Sequence, residues 1–160
     1  MGNRYEYAGF WIRTAAALID SIVLMLITSP LLILWYGFDA YWKAAETSDF
    51  LGVGEVLISW LLPLVLTIVF WLKVQATPGK MLFSLKVLDE LTGQPLTIQQ
   101  SLIRYVGYFV SACALLLGFI WIAFDAKKQG WHDKMARTVV VRDSGKTVES
   151  MIMDSKSLGN

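Results

Sequence analysis

Arg13 and Asp20 are the residues of this chain whose type and position most invite chemistry. They are seven residues apart, two helical turns, so on a helix they face nearly the same way about 10 Å apart along the axis. That spacing is too long for a simple direct salt bridge, so each needs a further partner or water. Asp20 is the only charged residue between positions 14 and 38. Exposing a carboxylate to lipid costs about 3 kcal/mol on insertion scales, so Asp20 must face protein or a wet cavity. Two chemistries fit: an ion or proton site, or a structural carboxylate satisfied by Arg104, by hydroxyls or by protonation. Arg13 alone has a plainer reading, snorkelling to the headgroups. Arg104 opens a later apolar stretch, where headgroup anchoring is the simplest role and pairing with an acid or a phosphate the alternative. Asp125, Lys127 and Lys128 close that stretch and read as a solvated boundary. His132 and Asp133 follow Gly130-Trp131. A lone histidine without a Cys/His cluster does not make a metal site. Gly79-Lys80 follows Pro78 but lacks the spacing of a phosphate-binding loop, and neither a nucleophile elbow nor a dinucleotide fingerprint occurs. No enzyme, cofactor or metal is therefore expected.

The elements that must position these charges are membrane helices. The chain has 160 residues, 56% hydrophobic and 17% charged, against about 45–50% and 25% in soluble domains. Its net charge of +1, from 14 basic and 13 acidic residues, argues against a basic nucleic-acid binder and an acidic disordered tail. Its single cysteine, Cys113, rules out an intrachain disulfide. Residues 10–36 are more than long enough to span a bilayer, and residues 53–72 fit one span. Pro30 is a potential kink in the first, and Pro63 lies near the middle of the second. The first run is too long for the apolar core of a signal peptide and carries Asp20, so it reads as a retained span. Trp11, Trp35, Tyr36, Tyr41, Trp42, Trp71, Tyr105 and Trp121 lie near segment boundaries, as in an aromatic belt, with Trp60 deeper and assigned to packing.

Residues 97–124 form a third apolar stretch, and basic-residue placement decides how it runs. Three simple crossings put six basic residues on one side and eight on the other. If the third stretch enters and returns, thirteen lie on one side and only Lys43 on the other, in a loop that also holds Asp39, Glu46 and Asp49. The expectation is therefore an all-α membrane protein with two full spans plus a re-entrant or hairpin stretch, broken at Gly107, Ser111 or Gly118, and both termini cytoplasmic. Residues 83–89 and 138–142 have strand character and can pair as a small cytoplasmic sheet only in that arrangement. Otherwise they are independent interfacial strands or helix ends. Residues 8–142 form the membrane domain and residues 143–160 a polar tail.

Four segments then fall into one pattern: GFWIR at 9–13, AAALID at 15–20, TPGKMLFSLKVLD at 77–89 and HDKMARTVVV at 132–141. Together they resemble the RDD family of small integral membrane proteins, named for one arginine and two aspartates. The resemblance assigns Arg13 to the arginine and Asp20 to the first aspartate. Asp133 matches the second aspartate better than Asp125 does. Trp131 stands where the family usually has a leucine. The resemblance implies transport, including cation/proton exchange, in a bacterial cytoplasmic membrane. Asp20 would carry the ion or proton, Arg13 and Asp133 would gate it or set its charge, and a homo-oligomer would supply enough helices. With both termini inside, Asp133 is expected to cap Arg13, leaving Arg104 beside Asp20 or a lipid phosphate. The competing reading is a membrane scaffold or assembly partner whose Arg/Asp network only fixes the fold.

Overall fold

A computed structural model describes residues 5–114 and 116–143. Strand β1 (Tyr5–Tyr7) leads into helix α1 (Phe10–Tyr36). At 1.5 Å per residue, α1 reaches about 40 Å, longer than the hydrocarbon core. It runs without interruption through Pro30 and stops at Gly37, whose φ of +86° ends the helix while its N–H donates to the Ile33 carbonyl. Helix α2 (Phe38–Thr47) follows, where sequence patterning suggested only a loop. Its exposed Phe38 and Trp42 rings stack, and the Tyr41 hydroxyl donates to Ser29 Oγ at 3.1 Å. Helices α3 (Val53–Val56) and α4 (Leu62–Val74) join through a π-helical turn, Leu57–Leu61, into one long rod. Pro63 has no N–H to offer the preceding turn, and a wider turn just before it absorbs the lost bond.

Only 6% of the apolar window of each rod is buried inside the protein. Flanks that apolar and that exposed require a lipid solvent. The chain is a membrane protein.

Helix α5 (Pro78–Leu82) turns the chain into β2 (Leu85–Asp89). Helix α6 (Ile98–Cys113) opens with a capping box: Thr97 Oγ1 accepts from the Gln100 N–H, and Gln100 Oε1 from the Thr97 N–H. Helix α7 (Leu117–Ile120) and a 3₁₀ turn, Trp121–Ala123, lie at 112° to α6. Helix α8 (Trp131–Ala136) and strand β3 (Thr138–Asp143) complete the described fold. The polar tail expected for residues 143–160 falls, from residue 144 on, outside the described residues.

The expected strand pair exists, with Val87 opposite Val140, and the sheet gains a third member. Strand β1 adds to β3 with Tyr7 opposite Val141, giving the order β1-β3-β2. One sheet cannot straddle a bilayer. Its strands precede α1, follow α4 and follow α7, so the stretch between β2 and β3 enters and returns. The chain bends between α6 and α7, where Leu116 takes φ +63°, and not at Gly107, Ser111 or Gly118. Those three small residues are contact points instead. A Cβ on Gly107 would lie 2.8 Å from the His132 Cα, and one on Gly118 would lie 2.8 Å from the Ser111 Cα.

The sheet covers a small core of Ala8, Ala16, Trp71, Leu85, Val87, Leu96 and Val140 beneath the ends of the spans. The full burial of Trp71 corrects its assignment to the aromatic belt. The C-terminal end of α4 is roofed by protein, so Trp71 meets side chains where a free helix end would meet headgroups. Trp60 does stack on Phe109, at 6.4 Å, but remains 58% exposed.

Helix α5 sits against α1 so tightly that a Cβ at Gly79 would lie 2.1 Å from the Ala16 carbonyl oxygen. Backbone cannot yield as a flexible side chain can. Gly79→Ala is therefore expected to cost about 1–3 kcal/mol, read as a lower thermal midpoint in detergent. An unchanged midpoint would show that the two helices do not pack this closely.

Candidate functional site

Asp133 is the fully buried centre of the charged site. Helix α8 presents it from its first turn, where Oδ2 accepts from the Gly130 N–H at 2.9 Å and stabilises the helix start. The same oxygen accepts from Arg13 Nη1 of α1 at 2.5 Å. Arg104 Nη1 of α6 forms an ion pair with Oδ1. Arg104 is itself 1% exposed and donates to Thr138 Oγ1 at 2.5 Å. One carboxylate thereby joins α1, α6 and α8 at the start of β3.

The cap of Arg13 by Asp133 is as the sequence reading anticipated. The placement of Arg104 is not. Arg104 was expected beside Asp20 or a lipid phosphate and instead pairs with Asp133, because α6 packs along α8. Nor does Arg13 snorkel: it is buried under the sheet.

Asp20 lies deeper along α1 and has its own partners. Its Oδ2 accepts from the Thr77 hydroxyl at 2.5 Å and its Oδ1 from the Gly79 N–H at 2.7 Å. It therefore caps the start of α5 and ties the turn after the second span to the first. Asp20 also lines a narrow cleft of about 50 Å³ with Val23, Leu24, Ile27, Leu66, Thr67 and Phe70. Asp125 is outside the buried site: it pairs with Lys134 at 2.5 Å and accepts from the Lys127 and Gln129 N–H groups, shaping the turn before α8.

His132 is buried next to Asp133, with Nδ1 3.4 Å from Ser111 Oγ and its ring 4.4 Å from that of Tyr108. Burial, the largest influence, pushes its pKa down to about 3; the Asp133 charge opposes this and the Arg104 charge adds to it. His132 is therefore neutral at pH 7, so its Nε2, 3.5 Å from Asp133 Oδ1, makes no ion pair. Burial also opposes the charge of Asp133, but Arg104 and then Arg13 override it and hold the carboxyl far below the usual carboxylate range.

Sequence reasoning missed Lys80 as a member of the site and placed Trp71 in the aromatic belt. Lys80 is buried, with Nζ 5.6 Å from the centre of the Trp71 ring. The guanidinium carbon of Arg104 is 5.2 Å from the same ring. Lys80 was read as part of a phosphate loop that the spacing rejects and of the Pro78-Gly79-Lys80 turn of the family resemblance, not as a buried group. The available signal was its place in the family turn, directly after Pro78-Gly79.

Two measurements test this site. The folded His132 pKa is depressed below its unfolded value, so unfolding takes up a proton between these values. Its contribution to stability is complete above about pH 6.5 and lost as pH falls toward 3. His132 is the only histidine, and above about pH 5 carboxylates are largely ionised in both states. Stability should fall from pH 6.5 to 5 in the wild type, and His132→Asn should remove most of that slope. An identical slope in the variant would contradict a buried neutral imidazole. Arg13→Gln and Asp133→Asn should each cost about 3–5 kcal/mol. Their double mutant should lose clearly less than the two losses together, and strict additivity would argue against direct contact.

The profile of the RDD family matches residues 7–137. The chain is 31% identical over 150 residues to the uncharacterised protein YxaI of Bacillus subtilis, covering 84% of this chain and 96% of that one. It is 30% identical over 145 residues to the uncharacterised membrane protein YteJ of the same organism, covering 87% and 83%. A proline-rich antigen homologue of Mycobacterium tuberculosis matches over 63 residues at 38% identity, covering 39% of this chain and 26% of that one. No solved structure matches. The extent of the family match, which contains Arg13, Asp20 and Asp133, agrees with the segments read from sequence: the chain belongs to the RDD family.

Proposed function

We propose that the protein transports a small solute or cation across a bacterial cytoplasmic membrane by proton exchange, with Asp20 as the exchanging group. The observation that carries this reading is the setting of Asp20. It is a half-buried carboxylate within a span, at the end of an apolar cleft between the two long rods, with no basic partner among the described residues. A hydroxyl and a backbone N–H hold it, and neither fixes its charge as a guanidinium does. Thr77 Oγ is the atom best placed to hand on a proton or share a cation. Asp133, locked between two arginines, supplies a rigid frame and not an exchangeable proton.

A role in binding and transport, without catalysis, fits this distribution of groups. Two long rods and a returning stretch are few for alternating access, so the working unit is a homo-oligomer. Both termini and the sheet are assigned to the cytoplasm, because thirteen of the fourteen basic residues belong to that side and only Lys43 to the other.

A second reading is a membrane scaffold. It is favoured by the engagement of both Asp20 oxygens in docking α5 on α1. Proteoliposomes loaded with a pH-sensitive dye and challenged with Na⁺, K⁺ or Li⁺ gradients separate the two. Cation-driven proton flux in the wild type, lost at least tenfold in Asp20→Asn with the thermal midpoint retained, is expected for transport. Undiminished flux in Asp20→Asn removes Asp20 from the carrier role. A wild type without flux, together with a lowered midpoint in the variant, favours the scaffold.

A further inference from the structure

The buried charges do not balance. Arg13, Lys80 and Arg104 are three basic residues, each at most 7% exposed; Arg13 and Arg104 pair with the one carboxylate of Asp133, and Lys80 shares the Trp71 ring with Arg104. The two arginines alone carry one more charge than Asp133 answers, and the oxygens of Asp20 are already engaged by Thr77 and Gly79. His132 is neutral and does not alter this surplus. Burying an uncompensated charge is costly, so such a surplus calls for an anion.

Unused donors occupy the same region. Arg13 Nε and Nη2, Arg104 Nε and Trp71 Nε1 are all buried without a hydrogen-bond acceptor among the described residues. Lys80 Nζ likewise has neither a hydrogen bond nor an ion pair among them. Arg104 and Lys80 both approach the Trp71 ring, at 5.2 and 5.6 Å, which places their charges about one indole. Asp133 Oδ1 is the one acceptor without a hydrogen bond there, and the charge of Arg104 already compensates it. The excess is thus in donors and in positive charge together. Arginine forks and a lysine ammonium are the groups that bind tetrahedral oxyanions.

We propose that Arg13, Lys80, Trp71 and Arg104 form a binding site for a phosphate-type oxyanion at the sheet-side end of the spans. The site is separate from the exchange role given to Asp20 and stands without it. Its depth suits a phosphate from either of two sources: the headgroup of an anionic lipid, or free phosphate from the aqueous side.

The full-length protein in neutral detergent is titrated with inorganic phosphate, against sodium chloride at matched ionic strength, and its thermal midpoint followed. In parallel it is placed in nanodiscs of phosphatidylcholine with or without phosphatidylglycerol. Saturable stabilisation by phosphate identifies a soluble anion, and stabilisation by phosphatidylglycerol alone identifies a lipid headgroup. In either case Lys80→Gln should weaken the response at least about tenfold, the worth of one charged hydrogen bond. Lys80→Arg should restore it, and Lys73→Gln, an exposed lysine on α4, should leave it unchanged. Trp71→Phe keeps an aromatic face and removes the N–H together with the five-membered ring, so it gives a second test, by a weakened response, if Lys80→Gln does not fold. Stabilisation by neither probe overturns the proposal, as does an equal response in wild type, Lys80→Gln and Trp71→Phe.

Discussion

The structure depends on a single buried carboxylate. Asp133 is fully enclosed and joined to two guanidiniums from different helices, one on the first span and one on the returning stretch. A buried ion pair is not by itself a source of stability, because desolvating both partners offsets much of their attraction. Its effect lies in specificity. With Arg13 and Arg104 fixed in place, only a packing that brings Asp133 between them avoids stranded charge. That condition sets where α8 lies, and the position of α8 sets where β3 begins. Thr138, the first residue of β3, is bonded to Arg104 itself, so the sheet starts at the ion-pair network.

Asp20 belongs to a second, smaller junction of different chemistry. Neutral donors meet it, a threonine hydroxyl and a backbone amide, and they come from the turn that ends the second span. The two aspartates named by the family therefore have distinct physical situations. One is held between fixed positive charges that keep it ionised. The other meets the dipoles of a hydroxyl and a backbone amide. The exchange role proposed above falls to the second, which no guanidinium engages among the described residues.

Much of this was legible in sequence. Charge-free runs exposed the spans, and the asymmetry of basic residues exposed the return of the third stretch. The contact of Arg13 with Asp133 followed once both were assigned to the same side. What sequence could not supply was the choice among several cations for one acid. Arg104 matched Asp20 or a lipid phosphate as well as it matched Asp133, and only the packing of α6 along α8 decides. Trp71 resembled a belt residue because depth along a helix says nothing about what roofs its end. Lys80 was overlooked because a lysine beside a turn is ordinarily solvated. The small residues of the third stretch looked like breakpoints, whereas their lack of bulk serves close approach.

The strand order β1-β3-β2 has a consequence for how the protein is made. The middle strand is the last to leave the ribosome. Strands β1 and β2 flank it without touching each other, so neither has a sheet partner while the chain is being synthesised. Both rods can enter the bilayer early, each satisfying its own backbone. Arg13, Lys80 and Arg104 must then wait, with water or lipid headgroups as company, until Asp133 and β3 arrive together. Closure is therefore a late, post-insertional event at the membrane surface, and a nascent chain arrested before residue 131 is a set of inserted helices with its charges unsettled.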